Sequence, residues 1–276
     1  MNLCAVQPDL AGINAQLQDI LVNYGLSGCF HKVAGSDIFS VDRGQGRPVV
    51  FIHGLSSSLF TWRFNLRPLS RFFRVIALDL PGFGFSPKPQ SELLNRAGYV
   101  NFVRHFLEQK GITSAILVGH SFGGTICLEL CRQFEGLVEA LVLVSATDKG
   151  GNYISGKKIK NLLIYLYHDK SLLTPDLYKI FKFTSQRYLP NTLLRLIQSD
   201  RVSSENRLKV PCQIVWGQYD ALLPPENARE VAAQFNTAEL SILADCGHAP
   251  HEEKYEVFND VVIRFLDQHS LAHKSV

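Results

Sequence analysis

No apolar run in this chain reaches the roughly 18 residues that a membrane-spanning helix needs. Met1 to Leu10 also has neither the basic start nor the apolar segment of a secretory leader, so a cytoplasmic location is the expectation. The six cysteines form no Cys-x-x-Cys pair and no Cys/His spacing typical of zinc, which argues against a structural metal site and for reduced thiols. Cys127 and Cys131 fall four apart on one helix face and read as core filling. No Gly-x-Gly-x-x-Gly and no phosphate-binding loop signature occurs; Gly82-Phe83-Gly84 lacks the third glycine, and Pro81 marks a tight turn there. The net charge is only +3, and no Lys/Arg run alternates with aromatic residues, so nucleic acid is not an expected partner. Internal repeats and low-complexity tracts are missing as well.

What is present suits one sizeable enzyme domain. With 276 residues, 46% of them hydrophobic and 19% charged, the chain can bury a large core as a single α/β unit. Strand-type runs fall near Phe30–Val33, Ile38–Val41, Val49–Ile52, Val75–Leu78, Ala115–Val118, Ala140–Val144, Gln213–Val215 and Leu240–Leu243. Several are continuously apolar, which marks strands buried on both faces of a mostly parallel sheet with helices between them.

Gly119-His120-Ser121-Phe122-Gly123-Gly124 lies between the apolar run Ala115–Val118 and a helix-competent run from Thr125 to Phe134. Strand, serine, helix describes a nucleophile elbow, a turn tight enough to strain the serine and to require small neighbours at 119 and 123. Gly124 lets the helix approach the sheet. The N–H of Phe122 would then point at an oxyanion formed over Ser121.

An elbow of this kind needs an acid and then a histidine downstream, and both are available at strand exits. Asp220 follows Gln213-Ile214-Val215-Trp216 through a Gly-containing loop, and His248 follows Leu240–Leu243 through Asp245-Cys246-Gly247. Asp148, after the run ending at Val144, is the competing acid. A second oxyanion donor is expected from the N–H of Leu55, because Val49–Ile52 runs into His53-Gly54. Ser56, Ser57 and Ser58 could line the same loop, and His53 reads as structural.

With Phe51-Ile52-His53-Gly54, Ala77 to Ser86, Gly119 to Gly124, Trp216 to Asp220 and Gly247-His248-Ala249-Pro250 in this order, the chain resembles α/β-hydrolase fold enzymes of the single-domain esterase and C–C hydrolase group. The resemblance runs from about residue 29 to the C-terminus. It implies a mostly parallel eight-stranded sheet flanked by helices, with an inserted helical cap. Dehalogenases and epoxide hydrolases of this fold carry an Asp nucleophile, whereas position 121 is Ser. Hydrolases of ring-fission products tend to have Asn before the serine and Met after it; here those places hold His120 and Phe122. Lys254-Tyr255 stands where many relatives open the last helix with Pro.

The expected layout is a helical extension over 1–28, a core over 29–148 and 210–276, and a cap over 149–209. In the extension, Leu10, Ile13, Leu17, Ile20, Leu21 and Tyr24 recur at helical spacing, with Asp9 to cap the start and Gly25 the end. Packing on its own body is the plainer reading, dimerisation or contact with the lid the sharper one. Helices in the cap are expected around Ile159–Leu166 and Leu193–Ile197, punctuated by Pro175, Pro190 and Pro211. Its Tyr153, Tyr165, Tyr167, Tyr178, Phe181, Phe183 and Tyr188 suggest an aromatic-walled pocket, although for any single ring packing of the cap onto the core is the plainer reading. The cap is also basic, with twelve Lys/Arg against four Asp/Glu, which could attract an anionic substrate or the surface of an acidic membrane, and which a solvated helical face explains equally well.

Together these features point to a serine hydrolase of small to medium hydrophobic acyl or aryl esters, with Ser121, Asp220 and His248 catalytic and Leu55 and Phe122 forming the oxyanion hole. No metal and no organic cofactor is expected. C–C bond hydrolysis on the same triad and a non-enzymatic ligand receptor remain alternatives, and the oligomeric state is open.

Overall fold

The computed structural model describes residues 15–87, 95–147, 162–185 and 207–271. Its strands are β1 (Cys29–Val33), β2 (Ser36–Arg43), β3 (Pro48–Ile52), β4 (Arg74–Leu78), β5 (Ala115–His120), β6 (Val138–Val144), β7 (Cys212–Gly217) and β8 (Ala238–Leu243). The helices are α1 (Ala15–Asn23), α2 (Leu66–Leu69), α3 (Arg96–Gln109), α4 (Phe122–Gln133), α5 (Leu162–Leu166), α6 (Pro175–Ser185), α7 (Asn227–Ala232), α8 (Pro250–Glu253) and α9 (Tyr255–Gln268). All eight expected strands are found, joined in one sheet in the order β1-β2-β4-β3-β5-β6-β7-β8. The first two pairings are antiparallel and the remaining five parallel.

Alternate residues of each strand feed opposite faces. Val50, Ile52 and Leu117 join the cluster packed against α3 and α4, while Val49, Phe51 and Ile116 join the one that contains Trp62 and the apolar face of α9. This double burial explains why the strands read as unbroken apolar runs; β5 is buried at every position. At the sheet's open edge β8 is only half covered, and its Leu240 and Ile242 are exposed. Five of the cysteines are free thiols, with Cys127 and Cys212 in the core, and burial pushes the Cys131 thiol up to about 11.

Helix α1 ends as expected at Gly25, which sits at φ +68°. Leu26 N–H bonds to Leu21 O and Gly25 N–H to Val22 O, the paired bonds of a Schellman cap. Leu17, Ile20 and Leu21 are buried in the body of the same chain, and the helix also touches α6. The helix thus packs on the body of its own chain and also meets a helix of the segment between β6 and β7, while Asp9 lies outside the described residues. Helix α4 starts at Phe122, three residues before the apolar run that suggested it, because the serine turn leads straight into it.

Between β6 and β7 the chain forms α5, a short 3-10 turn at Lys170–Leu172 and α6, which Pro175 opens at its first position. Residues 193–197 and the basic positions Lys157, Lys158 and Lys160 lie outside the described residues. Among the described residues no helix is long and apolar enough to cross a membrane.

Candidate active site

Parallel strands bring their C-terminal ends to one edge of the sheet, and the residues singled out in the sequence leave from that edge. Ser121 follows β5 with φ +51° and ψ −116°, a backbone conformation that side-chain-bearing residues rarely hold. The turn closes only because its neighbours lack side chains. A Cβ on Gly119 would lie 2.5 Å from Gly124 Cα, and one on Gly123 would lie 2.2 Å from Ile52 O. Gly124 meets Ala146 in the same way, which lets α4 approach the end of β6.

Asp220 lies three residues beyond β7 and is buried. Its Oδ1 accepts the N–H groups of Leu222 and Leu223 at 2.9 and 2.8 Å, which fixes the carboxylate plane. The other oxygen, Oδ2, is 2.7 Å from His248 Nδ1. A carboxylate can only accept, so Nδ1 carries the proton and Nε2 of the neutral ring is left as a base. His248 and Ser121 line the same pocket, together with Leu55 and Phe122. The structure thus brings together all five residues expected from the sequence. Asp148, the competing acid, lies outside the described residues.

His53 explains how the loop after β3 is held. Its Nε2 accepts Leu80 N–H at 3.0 Å, so its Nδ1–H donates to Gly54 O at 2.7 Å. Gly54 C=O and Leu55 N–H belong to one peptide unit, and pinning one end orients the other. Burial depresses the His53 imidazole to about 4, which keeps it neutral in this role. Asp79 fastens the same loop to the next one: its Oδ1 accepts Leu59 N–H at 2.6 Å and its Oδ2 accepts Phe85 N–H at 2.7 Å.

Several contacts around the site carry no signal in the sequence. His120 Nε2–H donates to the backbone carbonyl of His248 at 2.9 Å, and the two rings lie 4.9 Å apart. Burial, and then the neighbouring His248, hold the His120 imidazole well below its ordinary range. His251 lies 4.6 Å beyond His120 and is likewise held neutral, first by burial and then by His120. Its Nε2–H donates to Thr61 Oγ1 at 2.8 Å, and Thr61 in turn donates to Glu252 Oε1 at 2.5 Å. Glu252 is buried at the pocket wall and forms an ion pair with buried Arg63. That pairing spans 189 positions, too far for any local pattern to reveal it.

The pocket wall corrects one expectation. Of the seven aromatic residues singled out in the inserted segment, Tyr167 and Phe181 line the pocket. Tyr178 is 61% exposed, Phe183 packs on Phe85, Tyr165 is not among the lining residues, and Tyr153 and Tyr188 lie outside the described residues. Leu55, Leu162, Leu163, Leu166, Leu177, Ile180, Leu222 and Leu223 outnumber Phe60, Phe122, Tyr167 and Phe181 among the lining residues, so the apolar part of the wall is more aliphatic than aromatic. Tyrosines on amphipathic helices served packing and surface instead.

Residues 49–261 match the Alpha/beta hydrolase family. The chain is 30% identical over 251 residues to the dihydrolipoyllysine-residue acetyltransferase component of the acetoin cleaving system of Pseudomonas putida, a match covering 84% of this chain and 66% of that protein. It therefore spans slightly less than two thirds of that relative. A meta-cleavage product hydrolase from Pseudomonas fluorescens IP01 superposes with a TM-score of 0.78 at 25% identity, covering 88% of this chain and 98% of that one. The esterase RhEst1 from Rhodococcus shares the fold with a TM-score of 0.74 at 22% identity, over 87% and 98% of the two chains. The strained serine turn, the parallel sheet that carries it and the match over most of the length identify the chain as a member of the alpha/beta hydrolase family.

Proposed function

We propose that this protein is a serine hydrolase that cleaves carboxylic esters through an acyl-enzyme on Ser121. The observation that carries this reading is the Asp220–His248 hydrogen bond, which leaves His248 Nε2 as a base in the pocket that Ser121 enters from its strained turn. Ser121 Oγ attacks the ester carbonyl as His248 Nε2 takes its proton. Asp220 holds the tautomer and balances the charge of the imidazolium. The N–H groups of Leu55 and Phe122 receive the developing oxyanion, and His248 then gives the proton to the leaving alcohol. Water repeats the sequence on the acyl-enzyme and releases the acid.

The aliphatic wall supports hydrophobic acyl groups of small to medium size, and residues 149–209 are read as a cap over the site. Hydrolysis of a series of p-nitrophenyl esters of rising acyl length, with fluorophosphonate labelling of Ser121, tests the proposal. Multiple turnovers together with labelling that Ser121→Ala abolishes are expected; a ligand receptor on this fold that keeps the triad could be labelled but would not show both. The likeness to a meta-cleavage product hydrolase supports C–C bond hydrolysis as the second reading, since the same serine, histidine and acid would serve it. Turnover of a vinylogous diketone in preference to an aryl ester would favour that reading.

A further inference from the structure

Glu252 and Glu253 follow His248 closely in the chain, and each reaches across to the segment that enters the pocket from between β6 and β7. Glu253 Oε1 accepts Gly247 N–H at 2.6 Å, and its Oε2 accepts the N–H groups of both His168 and Asp169 at 2.8 Å. Glu252 Oε1 accepts the Tyr167 hydroxyl at 3.0 Å while its other oxygen is held by Arg63. Leu166 O accepts His248 N–H at 2.9 Å, which closes the connection from the other direction. The two segments touch so closely here that a Cβ on Gly247 would lie 2.8 Å from His168 N. Leu166 and Tyr167 are themselves pocket walls.

We propose that Glu252 and Glu253 are a pair of positioning residues that clamp residues 166–169 to the His248 loop and thereby set how long an acyl group the pocket accepts. The proposal rests on the ester-hydrolase reading of the site for its effect on selectivity, and on hydrogen bonding alone for the clamp. A short acyl group is held chiefly by the residues around Ser121. A longer one must lie against Leu166 and Tyr167, whose distance from Ser121 the two carboxylates fix. These carboxylates accept charge-assisted bonds, roughly twice as strong as neutral ones, which makes them suited to holding two separate segments in register.

Glu253→Gln separates the two arms of the clamp. With one acceptor oxygen the amide cannot serve Gly247 N–H and the N–H groups of His168 and Asp169 together, so whichever way it turns, one side of the clamp faces the amide nitrogen, donor against donor. With p-nitrophenyl hexanoate we expect KM to rise by about tenfold or more, and with p-nitrophenyl acetate we expect kcat/KM to stay within about threefold. Amide hydrogen exchange at Gly247 or at His168 and Asp169, whichever side meets the amide nitrogen, should accelerate at least about tenfold in the same variant. An equal fall for both esters would mean that Glu253 serves His248 and not acyl selection, and an unchanged ratio of the two would likewise overturn the proposal. Should Glu253→Gln not fold, Tyr167→Phe severs the other arm while keeping the ring, and it must lower the preference for hexanoate over acetate. A wild-type protein that hydrolyses neither ester would remove the ester-hydrolase reading and acyl selection with it, whereas slow exchange at 247, 168 and 169 that Glu253→Gln abolishes on one side would still establish the clamp; unchanged exchange at all three would refute it.

Discussion

Lowering the pH from 8 to 5 should destabilise this protein through its buried imidazoles. His53, His120 and His251 are all shut away from water, and burial lowers the proton affinity of each. A folded-state pKa below the unfolded value means that the unfolded chain binds more protons, so the stability present above pH 6.5 is lost as the pH falls toward the folded value. For His53 the folded value is about 4 against 6.5 in the open chain. Integrating the difference in bound protons from pH 8 to pH 5 gives a loss of about 2 kcal/mol from this residue, close to the ceiling for any histidine over that interval. His120 and His251 act in the same direction. Glu253 runs the other way: burial raises its carboxyl, so its contribution is full below 4.5 and is lost as the pH rises, and acidification restores part of it. Urea unfolding at pH 8, 7, 6 and 5 measures the sum. His53→Gln, which removes one titrating ring, should flatten the slope between pH 6 and 5 by roughly 1 kcal/mol per pH unit, whatever it does to absolute stability. Unfolding free energies constant within about 0.5 kcal/mol from pH 8 to 5, or a slope that His53→Gln leaves untouched, would refute the reasoning.

Ser121→Ala should fold as the wild type does yet lose about six orders of magnitude in kcat for ester hydrolysis, as read by pre-steady-state and long-time turnover; retained turnover would remove the acyl-enzyme mechanism. Asp220→Asn should reduce kcat by about 10³ to 10⁴, because His248 would adopt the wrong tautomer, while Asp148→Asn should be nearly silent; the opposite ranking would reassign the acid. Gly123→Ala forces a methyl group to 2.2 Å from Ile52 O and 2.6 Å from His53 O. A cost of about 3 kcal/mol or more in denaturant unfolding is expected, and a near-neutral result would contradict the tight turn drawn here.

Local chemistry made much of this molecule legible before any coordinates. Continuous apolar runs announced strands buried on both faces, and the glycines around Ser121 announced a turn that only small residues can close. Asp220 and His248 could be chosen because each leaves a strand at the edge where parallel sheets gather their loops. What stayed hidden depends on distant partners. Arg63 and Glu252, or Tyr167 and Glu252, are joined only by folding. The aromatic wall was over-read for a related reason. Ring content reports a need for apolar burial, but not which face of a helix will supply it, and Phe183 spends its ring on Phe85.

The Asp79 carboxylate, which holds Leu59 N–H with one oxygen and Phe85 N–H with the other, also constrains how this protein can change over generations. Two loops sharing one acceptor cannot be altered independently. A substitution that shifts one of them moves the anchor of its neighbour, so paired changes should depart from additivity, by the 0.5 to 3 kcal/mol typical of coupled sites, roughly speaking. Accessible evolutionary paths toward new substrates would then either change the two loops in concert or leave both alone, concentrating tolerated diversity in the segment between β6 and β7.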